Sequence, residues 1–548
     1  MAGQFVHIRH LLAGGWSTDD APAVASVPDD NGVVTVPHLL EARNILYATR
    51  GGGYRKTPGT RNVSPDLSNF RLVDLHDYWR QGTIGVPVQQ LILRADDRLY
   101  EAPGNAFDDN WTEISGSTGL NVDGIPTFSQ FDDLLIYSDT SSVVPQQFDG
   151  VTWADLEGSP PNFAWSELHK NRLWAGGVDA TPSRIFYSDF VNPQVWPDTA
   201  DPGNSGFIDI NPDDGDILIG ARSFKDQLVI FKGPNKGSIH RIVGSSPTGS
   251  DAFALDSSLP SQLPAVSNRS IFIYRGDIGF LTADGNVHSL AATAAFGDLE
   301  EAALTRPIQT YLQRTLNFAN LKFTKAETFA TLGVVLFTFP RSNNSDGSNK
   351  ANTILAMDYR FDPVRWALWD GYSNPTFASR FIDQTNNNRP SIMLGGLTGV
   401  EGDSAAVSRV YLFGRSTRSN DGTAIPMQVQ YPKLNYAAGH IQKTLTGVGL
   451  GITPHNAGDI VVTATNELSR LTTHNLQQSS SAALDTFVLG TDILSDTQGF
   501  RDLFLETEDG GEFSSIQFEV TNAEDEEDVE VHSLLARFER GAEQWHNE

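Results

Sequence analysis

The chain has 548 residues, no cysteine and a formal net charge of −28, with 67 Asp and Glu against 39 Lys and Arg. The missing cysteines exclude disulfides, thiolate metal sites and cysteine catalysis. The acidity argues against a grip on nucleic acid, which needs Lys and Arg on phosphates, and no run approaches the ~18 apolar residues that span a membrane.

Hydrophobic residues make up 39% of the chain and aromatics 10%, which suits a folded protein of two or three domains. The 49 glycines and 28 prolines fall in short clusters, the signature of a turn-rich β protein. "MAGQFVHIRHLLAGGW" has too short an apolar run to read as a signal peptide. Over residues 1–70 the charges balance.

Residues 46–61 read "LYATRGGGYRKTPGTR". A Walker loop needs its lysine directly after a glycine at a helix start, but Lys56 follows Arg55 and Pro58-Gly59 reads as a turn. A dinucleotide loop needs a third glycine where Lys56 stands. The stretch therefore reads as a structural turn.

Strand signals follow at irregular spacing. "QQLILRADDRLYEA" (89–102) is a hairpin about an Asp-Asp turn, and "GDILIGARSFKDQLVIFKGPNKGSIHRIVG" (215–244) holds three strand-like runs. "SIFIYRGDIGFLTADGNVHSL" (270–290) is another such unit, with Asp284-Gly285 as a hairpin turn. A loose theme recurs, in which Arg98-Leu99-Tyr100 precedes Trp111 and Arg184-Ile185-Phe186 precedes Trp196. Phe148-Asp149-Gly150 leads likewise to Trp153, and Tyr359-Arg360-Phe361 to Trp366 and Trp369. The spacing of roughly 40–60 residues is that of a four-stranded propeller blade.

The expectation is a mainly β fold: an irregular β-propeller of about six blades over 71–415, preceded by an N-terminal arm and assembly segment over 1–70. "GDLEEAALTRPIQTYLQRTL" (297–316) carries Ile308, Tyr311, Leu312 and Leu316 at helical spacing after Pro307, a helical insertion that caps the propeller or meets another subunit. After the polar stretch 415–424, residues 425–548 read as a separate, acidic β-sandwich-like domain. Residues 491–548 hold 17 Asp and Glu against Arg501, Arg537 and Arg540, so −14 of the net charge lies there.

Few constellations suggest chemistry. Asp213, Asp214 and Asp216 lack the glutamate of an EF-hand loop in register and read as a turn. "AEDEEDVE" (523–530) reads as a solvated hairpin tip. Arg275-Gly276-Asp277 reads as a hairpin entry. No histidine pair has zinc spacing, and no G-x-S-x-G elbow occurs. "FDGVTW" resembles a sialidase Asp-box through Gly150, Thr152 and Trp153, but Phe148 replaces the aspartate. The reading is of a protein that is no enzyme, with no catalytic, metal or cofactor residues. A glycan-active or glycan-binding propeller is the alternative.

The layout as a whole resembles the tail hub proteins of short-tailed bacteriophages, the nozzle or tail tubular protein B class, together with the related packaged-DNA stabilisation proteins. The resemblance rests on Gly14-Gly15-Trp16, Asn44-Ile45-Leu46 and Arg55-Lys56-Thr57-Pro58-Gly59-Thr60, and further on Phe186-Tyr187-Ser188-Asp189, Pro193 and Trp196. It implies a structural virion protein of the phage tail without a membrane anchor. Six copies would form a ring that touches adaptor and portal-side tail proteins and tail fibre or spike proteins, and viral DNA would pass through without specific binding. On this resemblance Arg50, Arg55, Lys56 and Arg61 are expected at a subunit interface.

Overall fold

The computed structural model describes residues 5–24, 27–48, 53–82, 85–140, 142–198, 203–259, 263–291, 303–342, 351–414, 418–436, 441–454, 458–467, 471–478, 501–506, 512–525 and 527–540. Its middle is a β-propeller. Four antiparallel four-stranded meanders follow one another, over 72–113, 127–155, 165–209 and 217–259. A three-stranded sheet over 271–289 comes next, then two more four-stranded blades, over 325–369 and 375–413. The described residues thus build six four-stranded blades and one three-stranded wedge. The first strand of each sheet, or the turn before it, faces one axial cavity.

The expected hairpins are present. Asp96 turns between Pro87–Ala95 and Arg98–Pro103 with φ of 51°, and Gly285 turns into Val287–Ser289 with φ of 82°. The recurring Arg-aliphatic-aromatic theme marks third strands: Arg98–Pro103 in the first blade and Arg184–Tyr187 in the third. Phe148 ends the third strand of the second blade, Gln146–Phe148. In the 325–369 blade the theme slips. Tyr359–Phe361 is the turn after the third strand, and Trp366 and Trp369 lie on the fourth, Arg365–Trp369. Trp174, Trp196, Trp366 and Trp369 are fully buried. Each is worth on the order of 3 kcal/mol or more by the cost of truncating such a side chain.

The ring is closed by the N-terminal segment. Strand Thr60–Asn62 pairs antiparallel with Val407–Phe413 as the fourth strand of the last blade. Gly59 sits so close to the neighbouring chain that a Cβ there would lie 2.1 Å from the carbonyl oxygen of Ser419.

The remaining strands form a two-sheet sandwich, but not from residues 425–548 alone. Phe5–Leu12 pairs antiparallel with Val529–Arg540, near the other end of the chain, and parallel with Val33–Val36. In the second sheet, Glu41–Arg43 pairs with Met427–Gln430 on one side and touches Arg365–Trp369 of a propeller blade on the other. One hydrophobic core runs from Ile8 and Val34 through Trp366 and Trp369 to Val520 and Leu534. The N-terminal residues are therefore not an arm apart: hydrogen bonds and burial distribute them between sandwich and propeller.

The expected helical insertion is described from residue 303 on. A 3-10 turn, Arg306–Ile308, leads into helix Gln309–Thr315, and residues 292–302 lie outside the described part. Ile308, Leu312 and Leu316 are buried, and the Tyr311 ring meets Trp16 edge-on at 4.7 Å. The apolar stripe is spent inside the same chain, Tyr311 against Trp16 and Leu316 against the Gly285 turn.

Gly59→Ala is expected to lower stability by about 1–3 kcal/mol, the cost of forcing atoms into a filled site. Because residues 54–62 belong to both halves, propeller and sandwich should lose stability together in urea unfolding followed by tryptophan fluorescence.

Candidate functional site

Two places concentrate charge. The first is the junction of the chain ends. Strand Tyr54–Lys56 pairs with Ile45–Tyr47 and with Val529–Arg540, which lays the basic stretch against the acidic run. Lys56 is 0% exposed. Its Nζ donates to Asn522 Oδ1 and to the Glu524 carbonyl, both at 2.8 Å. Arg55 forms a two-pronged pair with Asp528, its Nε 2.9 Å from Oδ1. Arg418, reaching from the propeller's end, donates to the same carboxylate at 2.7 Å.

The electrostatics follow from that geometry. Burial disfavours the Lys56 ammonium and brings its pKa down to about 8, although Glu527 pulls the other way. Burial alone would raise Asp528, but hydrogen bonds from Arg55 and Arg418 hold it down to about 2. Asn44 completes the joint. It sits in the left-handed region at φ 52°, where asparagine is tolerated. Its side chain donates to Asp370 at 3.1 Å and to the Pro426 carbonyl at 2.7 Å, and accepts from the Gly371 N–H.

This corrects two expectations. Lys56 does not face a neighbouring subunit, because its charge is consumed inside the chain. The acidic run is a solvated tip only in part: Ala523, Glu524 and Asp525 are exposed, but Asp528 and the Glu524 carbonyl are the counter-groups of Arg55, Arg418 and Lys56. Arg61 is about half exposed and pairs with Asp108 at 3.1 Å, which leaves it at the surface. Arg50 lies outside the described residues.

The second place is the axial cavity, about 340 Å³ in volume. Its carboxylates are Asp74, Asp77, Glu167 and Glu327; its cations are Arg222, Arg269, Lys325 and Arg380. Lys325 donates to Asp74 at 2.5 Å and to Ser379 Oγ, and Arg269 Nε lies 3.4 Å from Asp74. Burial pushes the Asp74 carboxyl up, but Lys325 and Arg269 outweigh it and hold it below the usual range. Arg222 donates to Asn268 and lies 3.7 Å from Glu167, whose carboxyl burial raises. Asp77 is raised by burial while it accepts from Gln89 and the Ile382 N–H. Glu327 keeps 32% of its side chain open to the cavity, yet lost hydration pushes it up. Sequence reasoning missed this cluster entirely. Its members come from strands up to about three hundred residues apart, and no local pattern marks an axis-facing charge.

The other candidates resolve into turns. Asp214 pairs with Lys232 at 2.7 Å, and Asp216 accepts backbone N–H groups of Asn235 and Gly237. In "FDGVTW", Asp149 accepts from the Val151 and Thr152 N–H groups, a hairpin turn in the second blade. Arg275 and Gly276, both at positive φ, form the turn of a hairpin in the three-stranded wedge.

No family model and no curated protein matches the chain. Among solved structures, YCF48 bound to D1 peptide aligns with 67% of this chain and 97% of its own, at 9% identity and a TM-score of 0.35. The WD40 β-propeller domain of Doa1 aligns with 65% and 98%, at 10% identity and a TM-score of 0.36. An exo-β-1,3-galactanase from Phanerochaete chrysosporium aligns with 94% and 99%, at 8% identity and a TM-score of 0.23. The propeller assignment rests on the strand pairing above.

The junction gives two opposite pH effects. Asp528 has a folded pKa of about 2 against an ordinary 3.8, so its contribution is full above about pH 4 and lost as pH falls towards 2. Lys56 has a folded pKa of about 8 against 10.5. The unfolded chain then holds more protons between those values, and stability gains with rising pH there. Asp528→Asn should cost about 3 kcal/mol, since it strands two guanidinium groups, and should flatten the acid limb. Lys56→Met should remove the alkaline gain and cost less than Lys56→Ala. Urea unfolding across pH 2–11 for the wild type and the three variants checks each statement.

Proposed function

We propose that the chain is a structural protein of a short-tailed phage tail, a copy in a six-membered ring of the nozzle or hub class that conducts and gates DNA. The observation that carries this reading is the sequence resemblance, together with the place of its residues in the fold. Asn44 and Arg55–Thr60 join the propeller to the sandwich, and Ser188 and Trp196 hold the third blade. Residues spent on holding two units in a fixed relation suit a component that bears mechanical load.

The axial cavity bears on where DNA would run. A space of about 340 Å³ holds on the order of ten waters, and the Asp74–Lys325 pair crosses its wall. A duplex cannot pass along the axis of one propeller. A DNA path therefore has to lie between copies, which a ring supplies. A net charge of −28 per copy would repel phosphates at the wall of such a path over roughly a Debye length of 8–10 Å. Packaged-DNA stabilisation is the neighbouring role within the same resemblance.

Six acidic copies repel one another, so salt should promote self-association of the isolated protein. The mass measured by light scattering should rise between about 0.05 M and about 1 M salt, where screening shortens several-fold. A mass that falls with salt would assign assembly to opposite-charge pairs instead. A monomer at every salt concentration, with no place in the tail of an imaged particle, would overturn the ring.

A further inference from the structure

The axial cavity has binding groups that the chain itself does not satisfy. His76 Nε2 is buried and without a hydrogen-bond partner, and the residue lines the cavity with its ring stacked on Phe128 at 5.5 Å. Arg269, 7% exposed, is by contrast already engaged, with Nε beside Asp74 and a hydrogen bond to the Val73 carbonyl. Arg380 is exposed and makes no hydrogen bond or salt bridge among the described residues, and its charge acts on both Asp77 and Glu327. Glu327 has Lys325 at 3.7 Å as its nearest cation. A buried nitrogen left open like His76 Nε2 is uncommon and points to a missing partner, and Arg380 and Glu327 are accessible charged groups beside it.

The charges narrow the partner's class. Four carboxylates and four cations sum to zero, so a ligand with a net charge would enter a cavity that offers it no counter-charge. A neutral ligand must instead donate to Glu327 and accept from Arg380. Hydroxyl groups do both, and a neutral imidazole can meet a hydroxyl as donor or acceptor. The His76–Phe128 stack adds an apolar face. The volume lies at the small end of the roughly 300–1,000 Å³ range of small-molecule sites.

We propose that the axial cavity of the propeller is a binding site for a neutral, polyhydroxylated ligand of one or two sugar rings, held by Arg380, Glu327 and His76. Arg380 lies on the first strand of the last blade and Glu327 on that of the blade before it, so the ligand bridges two blades. The site is independent of the ring reading, and either can fail without the other.

Saturation-transfer NMR on the full chain tests it, with D-glucose, D-galactose and N-acetyl-D-glucosamine as probes, glycine as a zwitterion and acetate as an anion. At least one sugar should receive saturation, and its addition should shift the His76 imidazole signals of the wild type. Glu327→Gln and Arg380→Gln should each weaken that sugar about five-fold or more, the loss of one net hydrogen bond. Arg184→Gln, whose guanidinium pairs with Asp209 on the outer edge of the third blade, should leave it unchanged. Silence from all three sugars, an unmoved His76 signal, preference for glycine or acetate, or binding indifferent to both variants overturns the proposal.

Discussion

A buried ammonium and two guanidinium groups meeting one acidic turn hold the architecture together. Lys56, Arg55 and Arg418 come from the N-terminal stretch and the propeller's end, and Asn522, Glu524 and Asp528 from the far end of the chain. An unpaired charge at such depth would cost several kcal/mol. Here the Asp528 carboxylate accepts from both Arg55 and Arg418, and Lys56 has an amide and a carbonyl oxygen. The cluster fixes the register between Tyr54–Lys56 and Val529–Arg540, and with it the position of the next strand, Thr60–Asn62, which closes the propeller. Ring closure and sandwich assembly thus share one short segment.

That sharing gives the acidity a second meaning. Part of the negative charge near the C-terminus is not surface charge at all but the internal complement of basic residues some 470 positions earlier. Among the described residues, Glu524 and Asp525 of the same run remain exposed. In the axial cavity the opposite holds. Charges of both signs are confined there, balanced in number, and several carboxyls are held above their ordinary range by lost hydration.

The propeller was legible because its evidence is local. Alternating runs, tight turns such as Asp96-Asp97 and Asp284-Gly285, and the spacing of Trp111, Trp153 and Trp196 each report on a few adjacent residues. The helix was legible from the spacing of Ile308, Leu312 and Leu316, but its partner, Trp16, was not. What escaped was pairing across long separations. Lys56 looks like any surface lysine until Asn522 is beside it, and Asp528 within "AEDEEDVE" looks solvated until Arg55 and Arg418 reach it. Asp74 and Lys325 stand 251 positions apart, and nothing local says that both face one axis. Composition reports the amount of charge, whereas only topology decides which charges are neutralised.

The pairing of Phe5–Leu12 with Val529–Arg540 has a consequence for how the protein comes into being. Of these two strands, the earlier one waits until more than five hundred further residues have been made. At a synthesis rate of about 5–20 residues per second, the first strand stands without its antiparallel partner for roughly half a minute or longer. The blades can form in order as they leave the ribosome, since each is a local meander. The sandwich cannot, and neither can the junction at Lys56. A chain cut short near its end keeps most of its propeller but exposes an unpaired edge and a buried-type lysine without its acceptors. Such a fragment is marked for aggregation or degradation rather than assembly. The fold thereby makes completeness of the polypeptide a condition of its own closure.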